Sequence, residues 1–114
     1  MNKDIQVSIS QKDDVSILQI KGDVTAITGE SIEEAYQKVT TAGARKILLY
    51  FDKDGYINSG GIAILIGIAS ESRKNSQIVR MTGLSVHFQK IFNMVGLTKY
   101  IEIFQTEELA LKDI

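Results

Sequence analysis

A hydroxyl at Ser59, preceded by Asn58 and followed by Gly60 and Gly61, stands at the mouth of a block of isoleucines. Three chemistries fit such a junction. The hydroxyl can cap the N-terminus of a helix, a role worth about 1 kcal/mol. The paired glycines can bare backbone amides for a phosphate, or can let a helix approach a sheet closely. The serine can also be a nucleophile, with His87 and either Asp52 or Asp54 as partners. A phosphate loop of the usual kind is poorly supported, because no Gly-Lys-Ser/Thr ending follows. The nucleophile reading is weak as well, since the serine lacks the elbow pattern. His87, beside Phe88 near a helix start, reads as an exposed surface histidine. Asp52 and Asp54 flank Lys53 and read as solvated turn residues before they read as ligands of a divalent ion. On the residues alone, the cap is the favoured role for Ser59.

Composition narrows the classes further. The 114 residues match one ordinary domain, residues 1–114, and a 44% hydrophobic content is enough for a core without covalent staples. With no cysteine and a single histidine, neither a disulfide framework nor a zinc site is expected, and no cofactor is implied. Thirteen Lys and Arg against 14 Asp and Glu leave a net charge of −1 spread along the chain, with no basic patch suited to nucleic acid. The opening "MNKDIQVSIS" alternates and reads as a strand, not a secretory signal. The apolar run Ile62 to Ala69 is far shorter than the roughly 20 residues that span a bilayer. A cytoplasmic, monomeric protein without membrane insertion is the expectation.

Periodicity supplies the elements that must position Ser59. "IQVSIS" and "VSILQIKG" read as a hairpin with "QKDD" as its polar turn. From Thr28 to about Thr41, Ile32, Ala35, Tyr36 and Val39 follow helical steps, with Glu30, Glu33 and Glu34 where the helix dipole favours acid and Gly43 as a stop. "RKILLYF" (45–51), "SQIVRMTG" (76–83) and "YIEIF" (100–104) read as buried strands. Between the first two lies "SGGIAILIGIASESRK", long enough for a crossover helix and apolar enough to be deeply buried. "SVHFQKIFNMVG" predicts a helix capped by Ser85, with Phe88, Ile91, Phe92 and Val95 as one stripe and Gly96 as a left-handed stop. "TEELALKD" predicts a short last helix capped by Thr106. The fold expected is α/β, a mixed, mainly parallel sheet with an N-terminal antiparallel hairpin and about four helices. In such a sheet, sites gather beyond the carboxyl ends of the strands, at a switch in strand order. The loop from Asp52 to Ser59 leaves such an end. In it Gly55 permits a tight turn, and Asn58 is able to adopt unusual backbone angles.

The segments "ILLYFDKDGYINSGGIAILIG" and "MTGLSVHFQKIFNMVGLTKYIEIFQTEELAL", with "ILQIKGDV" upstream, resemble the STAS domain of bacterial anti-sigma factor antagonists. The resemblance covers essentially the whole chain. It implies partner switching: the unphosphorylated protein binds and sequesters an anti-sigma factor that is also a serine kinase, phosphorylation breaks the complex, and a metal-dependent serine phosphatase restores it. Carried onto this chain, the phosphoacceptor is Ser59. The implied partner-binding surface is Asp23, Asp54, Tyr56, Ile57, Asn58, Ser59, Gly60, Gly61 and Ile62. Where the family pattern has aspartate, two serines, glycine and leucine, this chain has Asn58, Ser59, Gly60, Gly61 and Ile62. The resemblance implies a regulator and not an enzyme. The alternative within the same fold is a binding subunit of a lipid-transport or stress-signalling complex that is not phosphorylated.

Overall fold

A computed structural model describes residues 5–114. The first four residues, expected to begin the first strand, lie outside the described residues. Strands β1 (Ile5–Lys12) and β2 (Val15–Gly22) pair antiparallel. Their turn is shorter than the "QKDD" expected. Asp13 takes a left-handed backbone with φ 55°, so Asp13 and Asp14 alone make the connection, and Gln11 still pairs with Ser16. A two-residue turn of that hand suits the twist of the flanking strands. Lys46 Nζ lies 2.9 Å from the Asp14 carboxylate, and this hydrogen bond holds the carboxyl below the ordinary aspartate range.

The chain continues through α1 (Gly29–Thr41), β3 (Lys46–Phe51), α2 (Ser59–Lys74), β4 (Ile78–Thr82), α3 (Val86–Met94), a 3₁₀ turn (Leu97–Lys99), β5 (Glu102–Phe104) and α4 (Glu107–Leu111). Helix α1 buries the Ile32, Ala35, Tyr36 and Val39 stripe and stops before Gly43, whose φ is 98°. Ser85 caps α3 and Thr106 caps α4, each accepting a backbone N–H.

The five strands lie in the order β1-β2-β3-β4-β5, parallel from β2 onward. The expected switch in strand order is therefore absent. Each right-handed crossover steps one strand along in the same direction, which gathers the crossover helices on one face. Strand alternation divides the apolar residues accordingly. Leu18, Ile20, Ile47, Leu49 and Met81 pack with α1, α2 and α3. Val15, Ile17 and Leu48 face the other way, onto Ala110 of α4.

Two helices are less buried than their sequences suggest. In α2, Gly61, Leu65, Ile68, Ala69 and Ser72 are buried, but Ala63, Gly67 and Ser70 are exposed and Ile66 is 44% exposed. One side packs on the sheet and one flank meets α1, where a Cβ on Gly29 would lie 2.8 Å from Ile64 Cγ1; among the described residues the outer side, with Ala63, Ile66, Gly67 and Ser70, is left exposed. In α3, Phe88 and Phe92 are buried, whereas Val95 falls at the C-cap and is 48% exposed. Gly96, with φ 83°, provides the left-handed stop.

Gln77, leading into β4, ties the helical layer together. Its amide donates to Thr40 Oγ1 at 3.0 Å and to the Ala44 carbonyl at 2.9 Å, and its oxygen accepts from the Tyr36 hydroxyl at 2.7 Å.

Candidate functional site

The loop leaving β3 turns at once. Asp52 accepts from the Asp54 amide at 3.1 Å through its carboxylate and from the Gly55 amide at 2.9 Å through its carbonyl. Such a turn is the ordinary use of an aspartate that starts a loop. Gly55 is required by proximity, because a Cβ there would lie 2.5 Å from the Gly22 carbonyl oxygen.

The loop is then laced to the segment between β2 and α1. Val24 pairs with Ile57 in an isolated parallel bridge: the Val24 amide donates to the Tyr56 carbonyl at 2.7 Å, and the Asn58 amide donates to the Val24 carbonyl at 3.1 Å. The Asp23 carboxylate accepts from the Tyr56 amide at 2.9 Å. On the other side of Val24, the Thr28 hydroxyl donates to the Asp23 carbonyl at 2.7 Å and accepts from the Thr25 amide at 2.8 Å. Val24 and Ile57 are both buried, so Ile57 anchors the loop and does not face a partner.

Asn58, and not Ser59, caps α2. Its backbone is extended, at φ −91° and ψ −179°, with none of the unusual angles allowed for it, and its side-chain oxygen accepts from the Gly61 amide at 2.9 Å. Ser59 is the first helical residue and is exposed. The position before the helix needs an extended backbone and a short acceptor, and Asn58 supplies both.

Gly60 and Gly61 do not hold the helix mouth open. A Cβ on Gly60 would lie 2.9 Å from Ala26 Cβ, and one on Gly61 would lie 2.3 Å from the Val24 carbonyl oxygen. Both glycines are used for close packing of α2 against the β2–α1 segment, and the Gly61 amide is already taken by Asn58. The phosphate-cradle reading fails on that geometry.

Around Ser59 the surface mixes exposed polar and apolar groups. Asp23 and Asp54 are exposed, and Tyr56 is 59% exposed, with its ring edge-on to Phe88 at 5.7 Å between centroids. Ile62 is half-buried one turn into the helix. His87 is exposed and stacks edge-on against Phe88 at 4.9 Å. Among the described residues, no hydrogen bond links Ser59, His87 and the two loop aspartates into a nucleophilic set. Two exposed residues of this end were not expected, Ile27 and Val86. The signal for Ile27 is its phase: it precedes α1 and lies outside the stripe that runs from Ile32 to Val39.

No helix among the described residues is long and apolar enough to cross a membrane. The STAS domain model matches residues 6–110. The anti-sigma-B factor antagonist of Listeria monocytogenes is 23% identical over 107 residues, which cover 94% of this chain and 93% of that protein. In fold the chain is similar to an anti-sigma factor antagonist from Mycobacterium paratuberculosis, with a TM-score of 0.80 at 18% identity over 94% of this chain and 91% of that one. It is also similar to the Bacillus cell fate determinant SpoIIAA in its phosphorylated form, with a TM-score of 0.66 at 16% identity over 93% and 96% of the two chains.

Proposed function

The chain belongs to the STAS domain family, and from that premise we propose that it is an anti-sigma factor antagonist that works by partner switching, with Ser59 as the phosphoacceptor. The observation that carries this reading is the division of roles at the start of α2. Asn58 makes the cap, which leaves the Ser59 hydroxyl exposed and dispensable for the helix.

A phosphate adds roughly −1.5 to −2 charges and three acceptor oxygens. At a helix N-terminus the dipole tolerates that charge, so the fold has no need to rearrange. The cost falls on a partner docked over the loop, which must now accommodate a dianion beside Tyr56 and Ile62. In this reading the unmodified chain binds an anti-sigma factor that is also its serine kinase, and a metal-dependent phosphatase resets it. Asp23, Asp54 and Tyr56 frame the contact, while Ile57, Gly60 and Gly61 shape it from beneath.

The test is reconstitution with the anti-sigma factor kinase of the same cell and Mg-ATP, followed by tandem mass spectrometry. One phosphate on Ser59 is expected, with none on Ser59→Ala and loss of binding by Ser59→Asp. Equal labelling of Ser59→Ala would overturn the assignment. Binding indifferent to both substitutions would favour an unphosphorylated subunit of a lipid-transport or stress-signalling complex.

A further inference from the structure

We propose that a groove between the outer side of α2 and the turn after α3 docks an acidic amphipathic helix of the same partner. This rests on the function proposed above and extends the contact beyond Ser59. One wall of the groove is Ile66, Ser70, Arg73 and Lys74 of α2; Val95, Gly96 and Tyr100 form the other, around a volume of about 450 Å³.

The wall residues share one helical face with Ser59. At 100° per residue, Ser59, Ala63, Ile66, Ser70 and Arg73 fall in a single stripe, and at 1.5 Å per residue the groove begins about 10 Å beyond Ser59 and ends about 20 Å beyond it. A helix laid along α2 therefore meets both.

The chemistry of the groove selects its occupant. Ile66, Val95 and Tyr100 are 44%, 48% and 50% exposed, and Met94 beside them is 83% exposed. Contiguous exposed apolar groups of this kind mark interaction surfaces, and a two-walled groove takes anchors at helical spacing. Its charged residues are cationic only: Lys74, and Arg73 with its guanidinium 4.7 Å above the Tyr100 ring. Glu71 belongs to the flank of α2 that carries Ile64 and meets α1, away from the groove. In a chain of net charge −1 this is a local excess of positive charge, which favours carboxylates on the occupant. A second copy fits poorly. Of the two helices with an acidic start among its described residues, α1 turns Glu33, Glu34 and Gln37 outward while its apolar residues are buried, and α4, which bears Glu107, Glu108 and a half-exposed Leu109, is five residues long, too short to offer anchors a turn or more apart.

The experiment uses the kinase that labels Ser59 and measures its affinity for the full chain by calorimetry. Ile66→Gln and the double reversal Arg73→Glu with Lys74→Glu are compared with wild type, each checked for an unchanged thermal melt. The double reversal is expected to weaken binding by about tenfold or more, and added salt to weaken wild type more than the reversed variant. Hydrogen exchange in the complex is expected to slow at residues 95–100. Groove variants that bind within about twofold of wild type, while Ser59→Asp still blocks binding, would overturn the groove alone. Wild type that binds no such kinase would remove both readings. A self-association abolished by Ile66→Gln would assign the groove to a second copy instead.

Discussion

Asn58 and Ser59 are adjacent and similar in kind, yet the fold uses them oppositely. Asn58 faces inward along the helix axis to take an amide, and Ser59 faces water. Asn58→Ala is therefore expected to cost about 1 kcal/mol in urea denaturation, and Ser59→Ala less than about 0.5 kcal/mol. Equal losses would mean that the serine shares the cap. The sequence reading favours Ser59 for the cap and the fold gives it to Asn58, a difference residue type cannot settle because Asn and Ser cap about equally well. What decides is the Val24–Ile57 bridge, which fixes Asn58 as the last extended residue. No local pattern announces that pairing.

At the scale of elements, the approach of α2 to the β2–α1 segment accounts for one departure from the family pattern. Where that pattern carries a second serine, this chain has Gly60, with Ala26 Cβ and the Ala26 amide nitrogen 2.9 and 3.0 Å from where a Cβ would stand. Gly60→Ser is expected to destabilise by about 1–3 kcal/mol. Adding Ala26→Gly should recover part of that loss, seen as a coupling of about 0.5 kcal/mol or more in a double-mutant cycle. Strict additivity would refute the contact. The elements themselves were largely legible: the α1 stripe, the Ser85 and Thr106 caps and the Gly96 stop are local signals read locally. The exposure of Ile66 was not, since hydropathy shows that a helix is apolar but not whether a second layer covers it.

For the whole molecule, the sheet has a large apolar side and a small one, and among the described residues α4 and the following Ile114 seal the small one. Ala110 is fully buried there, and Arg80 donates to the Ala110 and Lys112 carbonyls at 3.0 and 2.9 Å. Ala110→Asp is expected to cost about 2–4 kcal/mol, measured by chemical denaturation, because a carboxylate would be forced against Leu48 and would draw Arg80 off the carbonyls that hold α4 down. A smaller loss would mean that α4 lifts away at little cost. The strand order was hidden for a related reason. "RKILLYF" and "SQIVRMTG" carry the same kind of apolar run, so neither announces its neighbour in the sheet.

The lacing of Asp23, Val24, Tyr56 and Asn58 has a consequence for the thermodynamics of encounter. The two loops at this end are tied together by backbone hydrogen bonds and by the Asp23 carboxylate, as one plate. A plate already ordered before contact gives up little conformational entropy when something lands on it. Association there should be fast and carry a modest entropic penalty, and a change at Ser59 should register mainly in the dissociation rate.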